Sequence, residues 1–211
     1  MGLLVKSENM VEISAELCQL LENGGVVAYP TSTLPGLGCL PTKEGLDTLF
    51  EMKKRPDGQP VSLGVTSLEQ ASKFVKVPQF AISLLDDFPL GSITLILDAK
   101  NTLDSRLGGK RVAVRVFADP IAKTLAEMVG PITATSANPS GVKPSRTVSL
   151  AAQSLNLKPI SVLDGECPGG KGSTILSIEK NSLEKAGFSV TIMREGVVPQ
   201  ADVVSWMMKI R

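Results

Sequence analysis

Seven short runs of apolar and β-branched residues, at 26–29, 61–65, 93–97, 112–116, 160–163, 174–178 and 188–193, alternate with stretches whose apolar residues recur every three or four positions. The runs have strand length, and the stretches between them have the period of amphipathic helices. Ile13, Leu17, Leu20 and Leu21 form one helical stripe within 11–21; Leu46, Leu49 and Phe50 form a second; Ile121, Leu125 and Met128 form a third. Shorter helices are expected near 68–75, 81–85 and 149–155, and a last one from Pro199 through Val203, Met207 and Ile210. The punctuation agrees. Asn23-Gly24-Gly25 stops the first helix, and Gly130-Pro131 stops the one that Asp119-Pro120 starts with a capping carboxylate and an N-terminal proline. Pro56-Asp57-Gly58-Gln59-Pro60 and Gly108-Gly109 read as turns. Strands and helices alternate without a strict strand–helix–strand rhythm, so the expected class is α/β with a mixed sheet. No repeat or low-complexity segment divides residues 1–211, which read as one domain.

Composition narrows the chemistry. Histidine is absent, which excludes Ser-His-Asp and Cys-His catalysis and histidine-ligated zinc. The three cysteines, Cys18, Cys39 and Cys167, are widely spaced and odd in number, so a reducing, cytosolic compartment is expected rather than a disulfide framework. A formal net charge of +1 supplies no global field for nucleic acid or membrane. Aromatic residues are 4% of the chain, too few for a base-stacking platform. No apolar run reaches membrane length.

Two hydroxyl-rich segments follow strand-like runs. Thr31-Ser32-Thr33-Leu34-Pro35-Gly36-Leu37-Gly38 follows the first, and Thr133-Ala134-Thr135-Ser136-Ala137-Asn138-Pro139-Ser140-Gly141 follows Pro131-Ile132. Each reads as a loop, serving either as a turn or as a set of hydroxyls and backbone N–H groups for a polar ligand. Lys53-Lys54-Arg55 lies at a helix C-terminus, where the dipole favours cations. Arg115 inside the apolar run 112–116 must be ion-paired or line a pocket. Arg194-Glu195-Gly196 follows a strand and is either an internal ion pair or part of a site. The segment 165–173 nearly spells a phosphate-binding P-loop, but Gly172 separates Lys171 from Ser173 and a strand-like run follows. A glycine-rich turn is the expectation there.

Taken in order, Tyr29-Pro30-Thr31-x-Thr33-x-x-Gly36-Leu37-Gly38, Lys53-x-Arg55-Pro56, Ile93-Thr94-Leu95-Ile96-Leu97, Val112-Ala113-Val114-Arg115, Thr135-Ser136-Ala137-Asn138-x-Ser140-Gly141, Ser173-Thr174-Ile175 and Arg194-Glu195-Gly196 form a series that resembles the YrdC-like threonylcarbamoyl-AMP synthase family, over about residues 24–196. The resemblance implies a single-domain, twisted mixed sheet with flanking helices around a concave basic cavity. It implies that L-threonine, bicarbonate and ATP, with Mg2+, are joined into threonylcarbamoyl-AMP with release of pyrophosphate. A partner transferase then modifies tRNA to N6-threonylcarbamoyladenosine. By the same resemblance Thr31, Thr33, Arg115 and Thr135 serve threonine. Lys53, Arg55, Gln59, Ser136, Asn138, Ser145 and Arg194 serve ATP, with Lys53 and Arg55 meeting its phosphates. The family usually carries an acidic residue where Ser32 stands and an aromatic one where Pro35 stands. Two other readings share the fold: a protein that binds RNA without synthesis, and a carbamoyl-adenylate enzyme with a different substrate.

Overall fold

The computed structural model describes residues 13–210 except 57 and 184–186. Val11 and Asp57, which fall in the expected first helix and the expected turn, lie outside the described residues. Eight strands form one sheet: β1 (Val27–Tyr29), β2 (Gly36–Gly38), β3 (Ser62–Val65), β4 (Ile93–Asp98), β5 (Arg111–Val116), β6 (Ile132–Ser136), β7 (Thr174–Lys180) and β8 (Phe188–Arg194), in the order β1-β2-β6-β3-β5-β4-β7-β8. β3 pairs with β5, and β4 with β7, in parallel; the other neighbours are antiparallel. The mixed sheet is the one expected from the irregular alternation.

The flanking helices are α1 (Ala15–Glu22), α2 (Lys43–Lys53), α3 (Leu68–Ala71), α4 (Gln79–Asp86), α5 (Pro120–Val129), α6 (Val148–Ser154) and α7 (Gln200–Ile210). α5 begins where its capping chemistry predicts. The Asp119 carboxylate accepts from the backbone N–H groups of Ile121 and Ala122, two of the donors that a helix start leaves without partners. The first two helical stripes are buried as their spacing requires. In the third, Leu125 is buried with Ala122 and Ala126, while Ile121 is half-buried and Met128, expected inside, is 53% exposed, because the helix turns its small alanines to the core. Leu17 and Leu21 of α1 pack with Leu125 and Ala126 of α5 against Tyr29, Phe117 and Ile132. Leu46, Leu49 and Phe50 of α2 pack with Ala151 of α6 and Leu37. The opposite side of the central strands is covered by α3, α4 and α7, where Trp206 joins the core and its indole N–H donates to Asp87 at 2.6 Å.

Three expectations change. Gly36–Gly38, read within a loop, is a strand, because its partners on both sides, Tyr29 and Ser136, come from elsewhere in the chain. Thr133–Ser136 is likewise strand, not loop; its backbone is paired to β3 and β2. Residues 159–161, expected within or beside a strand at 160–163, form a 3-10 turn, and one bridge joins Val162 to Ala28.

Candidate active site

A cavity of about 200 Å³ opens across the sheet, and every strand contributes to its wall. Tyr29 comes from β1, Gly36 from β2, Ser62 from β3, Thr94 from β4, Arg115 from β5, Thr135 and Ser136 from β6, Ile175 from β7 and Arg194 from β8. The loop between β1 and β2 adds Thr31 and Thr33, and Arg55 arrives from beyond α2. The first turn of chemistry is steric. A Cβ on Gly36 or Gly38 would sit 2.7 Å or 2.9 Å from the Tyr29 ring, so bare backbone lets that ring lie across β2. The Tyr29 hydroxyl then donates to the Thr133 carbonyl, tying β1 to β6.

The two threonines of the first loop do different work. Thr31 donates its hydroxyl proton to the Leu34 carbonyl at 2.7 Å and accepts from the Thr33 N–H, so it shapes the turn. Its own N–H donates to the Cys167 sulfur. Thr33 instead accepts from Arg115 Nη2 at 2.8 Å, and its hydroxyl faces Thr31 Oγ1 at 3.4 Å, where it is the donor because the Thr31 proton is spent on Leu34. Arg115 also donates Nε–H to the Gly91 carbonyl at 3.0 Å and contacts Ser32 Oγ at 3.3 Å. Those bonds fix the guanidinium plane and leave Nη1 without a protein acceptor among the described residues. The arginine is 8% exposed. Of the two readings its position allowed, the pocket holds.

Arg55, Arg115 and Arg194 all line the cavity, and among the described residues none of them forms an ion pair with a carboxylate. Among the described residues no Asp or Glu lines the wall. Burial, followed by the charge of Arg194, depresses the Arg55 pKa; burial is the main cause at Arg115, where Arg194 adds to it, and the cause at Arg194 itself. Arginines nevertheless stay charged. Three cations that repel one another in a half-dry hollow make a strong anion site. Arg194 donates to the Ser173 carbonyl at 2.8 Å, while Glu195 is taken by Lys171 at 2.6 Å. The P-loop-like segment therefore spends its lysine on an ion pair and runs into β7 rather than a helix.

Four residues expected at the nucleotide do not line the cavity: Lys53, Gln59, Asn138 and Ser145. Lys54 closes α2 in the left-handed region, at φ 50°, so the side chains on either side of it diverge. Arg55 turns into the cavity, and Lys53 turns back into the protein, 2% exposed, to donate to the Ser136 and Asn138 carbonyls at 2.5 and 2.6 Å. Gln59 is exposed and offers its backbone carbonyl to Arg55 Nε. The Asn138 amide donates to the Pro139 and Val142 carbonyls, leaving Oδ1 buried without a partner among the described residues, and Ser145 donates to the Thr147 carbonyl. Sequence reasoning missed Thr94 and Ser173, whose hydroxyls lie 2.7 Å apart, both buried. Whichever donates, the other keeps a proton for a ligand. A threonine inside the apolar run 93–97 was the available signal.

Burial, and then the charge of Arg55, lower the Lys53 pKa from 10.5 to about 8. Between those values the unfolded chain binds more protons than the folded one, so this group makes stability rise with pH across that window. The melting temperature of the native chain minus that of Lys53→Met is expected to grow from pH 7.5 to 10. A difference that stays flat in thermal denaturation would show that Lys53 titrates as in water.

The matching family model is that of the Sua5/YciO/YrdC domain, described as telomere recombination, and it covers residues 19–196. A relative from Photobacterium profundum named threonylcarbamoyl-AMP synthase is 29% identical over 189 residues, covering 86% of this chain and 97% of that protein. Another of the same name, from Aliivibrio fischeri, is 32% identical over 158 residues, covering 72% and 85%. The crystal structure of P. abyssi Sua5 complexed with L-threonine superimposes with a TM-score of 0.76 at 29% identity, over 89% of this chain. The present chain spans 55% of that one, about half its length. With 178 consecutive residues under the family model and every strand of the sheet turned to one basic hollow, the chain belongs to the Sua5/YciO/YrdC family.

Proposed function

We propose that this chain synthesises threonylcarbamoyl-AMP from L-threonine, bicarbonate and ATP, releasing pyrophosphate, as a step towards N6-threonylcarbamoyladenosine in tRNA. The observation that carries the reading is the trio Arg55, Arg115 and Arg194, with no lining carboxylate among the described residues, facing hydroxyls from Thr33, Thr135, Ser136, Thr94 and Ser173 in one cavity. Arg115, with Thr33 and Thr135, suits the amino-acid carboxylate, since a guanidinium can bond two oxygens at once. Arg55, Arg194 and Ser136 suit the phosphates. Thr31, also in the wall, shapes the turn that carries Thr33.

The reaction asks little of acid–base groups. The threonine amine adds to the carbon of CO2 and gives up a proton to solvent, or attacks bicarbonate with breakage of a C–O bond and loss of water, giving a carbamate. A carbamate oxygen attacks the α-phosphorus, the bond to the bridging oxygen breaks, and pyrophosphate leaves with the electron pair. The chain positions the reactants and neutralises charge. Among the described residues no carboxylate lines the cavity and no group of three or more metal-ligating side chains could hold a Mg2+ ion. The ion enters as part of the substrate, on the ATP phosphates. The product is a reactive mixed anhydride, which a partner transferase consumes. Among the described residues no helix is long and apolar enough to cross a membrane, and the three cysteines are free, which suits the cytosol.

The test is pyrophosphate release from ATP with and without threonine and with and without bicarbonate. Dependence on both is expected. Turnover with another amine in place of threonine would overturn the substrate, and salt-sensitive RNA binding without turnover would overturn the enzyme.

A further inference from the structure

We infer that Lys53 is a positioning residue, which grips the turn leaving β6 and thereby sets the nucleotide side of the cavity without touching the nucleotide. The inference rests on the nucleotide-binding reading above. Its basis is a double hold. The side chain donates to two carbonyls two residues apart, Ser136 and Asn138, while the Lys53 carbonyl accepts from the Ser140 N–H at 3.1 Å. Asn138 N–H closes on the Ser136 carbonyl at 3.0 Å, and Ala137 N–H donates to the Pro35 carbonyl at 2.8 Å. Residues 136–140 are thus clamped from α2 on one side and from the loop before β2 on the other. Ser136, the first of them, is in the cavity wall.

The geometry sets the ammonium apart from a phosphate contact. Lys53 is buried, is absent from the cavity lining, and has two of its N–H groups engaged by short bonds. An amine keeps two N–H donors after losing a proton, so the hold does not need the charge. The left-handed Lys54 explains the Lys-x-Arg spacing: one intervening residue sends the first cation inward to hold the wall and the second outward to the ligand.

Adenosine and ATP separate positioning from direct contact, because adenosine has no phosphate. Titration calorimetry on the full chain is expected to show Lys53→Met weakening both by the same factor, about tenfold or more, with threonine affinity little changed. An ATP affinity that falls while adenosine holds would overturn the inference in favour of a phosphate contact, and so would no change in either. Should Lys53→Met fail to fold, Lys53→Gln gives the same ratio test. Amide exchange supplies a readout independent of ligand: the Ser140 N–H is expected to exchange about tenfold faster in Lys53→Gln than in the native chain. Unchanged exchange overturns the inference even if ATP does not bind. A native chain that binds neither adenosine nor ATP, yet shows the faster exchange, would refute the proposed function and leave the clamp standing.

Discussion

Replacing Arg115 by alanine is expected to weaken L-threonine binding by about 10- to 150-fold and ATP binding much less, and replacing Arg55 by alanine is expected to do the reverse. The magnitude is that of a lost hydrogen bond to a charged group, about 1.5–3 kcal/mol. Two features place Arg115 towards the upper end. It is buried, so its field is poorly screened. It also holds the loop that carries Thr33, and its loss strips donors from the Gly91 carbonyl and the Thr33 hydroxyl together. Arg55 is more exposed, and its Nε and Nη2 rest on the Gln59 and Pro60 carbonyls. Its removal frees that loop on the phosphate side and leaves β5 untouched. Titration calorimetry with each ligand separates the two arginines. Equal losses for both ligands in both variants would remove the division of the cavity into an amino-acid end and a phosphate end.

Gly196→Ala is expected to lower the melting temperature by roughly 2–12 °C, from an overpacking cost of about 1–3 kcal/mol in a chain of this size. The added Cβ would lie 2.2 Å from the Gly172 carbonyl oxygen and 2.4 Å from the Ser173 carbonyl carbon. Those are backbone atoms, with no flexible end to swing aside. The segment is also tied down. Gly196 N–H and Val198 N–H both donate to the Thr174 hydroxyl, which in turn donates to the Val198 carbonyl. Relief therefore has to come from peeling 194–198 away from the start of β7. That motion takes Arg194 off the Ser173 carbonyl and out of the wall, so ATP binding should fall as well. A melting temperature within 1 °C of native by calorimetry would show that this wrap is not a close-packed part of the fold.

Much of the architecture was legible in the residue pattern. Helical stripes such as Leu46, Leu49 and Phe50 are buried where their spacing put them, and Asp119 caps α5. Those features depend on neighbours within a turn or two, and the chain carries that information locally. The two strands read as loops are different. Gly36–Gly38 has little strand character of its own, and Thr133–Ser136 mixes strand-favouring threonines with polar residues that also suit a turn; each is strand because the other, with Tyr29 and β3, supplies its hydrogen bonds.

Within the site the same division holds. Residue type and order alone determined that this chain would use arginines and hydroxyls rather than histidine chemistry, and which segments would supply them. Only the tertiary structure decided which of two neighbouring cations faces the cavity: Arg55 does, and Lys53 is turned inward onto Ser136 and Asn138. It alone joined Thr94 to Ser173 across 79 positions of chain and set Thr31 onto the Leu34 carbonyl and Thr33 onto Arg115. The reason is physical. A side chain's type sets what bonds it can make, whereas burial and the position of distant carbonyls and hydroxyls set which of those bonds are already taken.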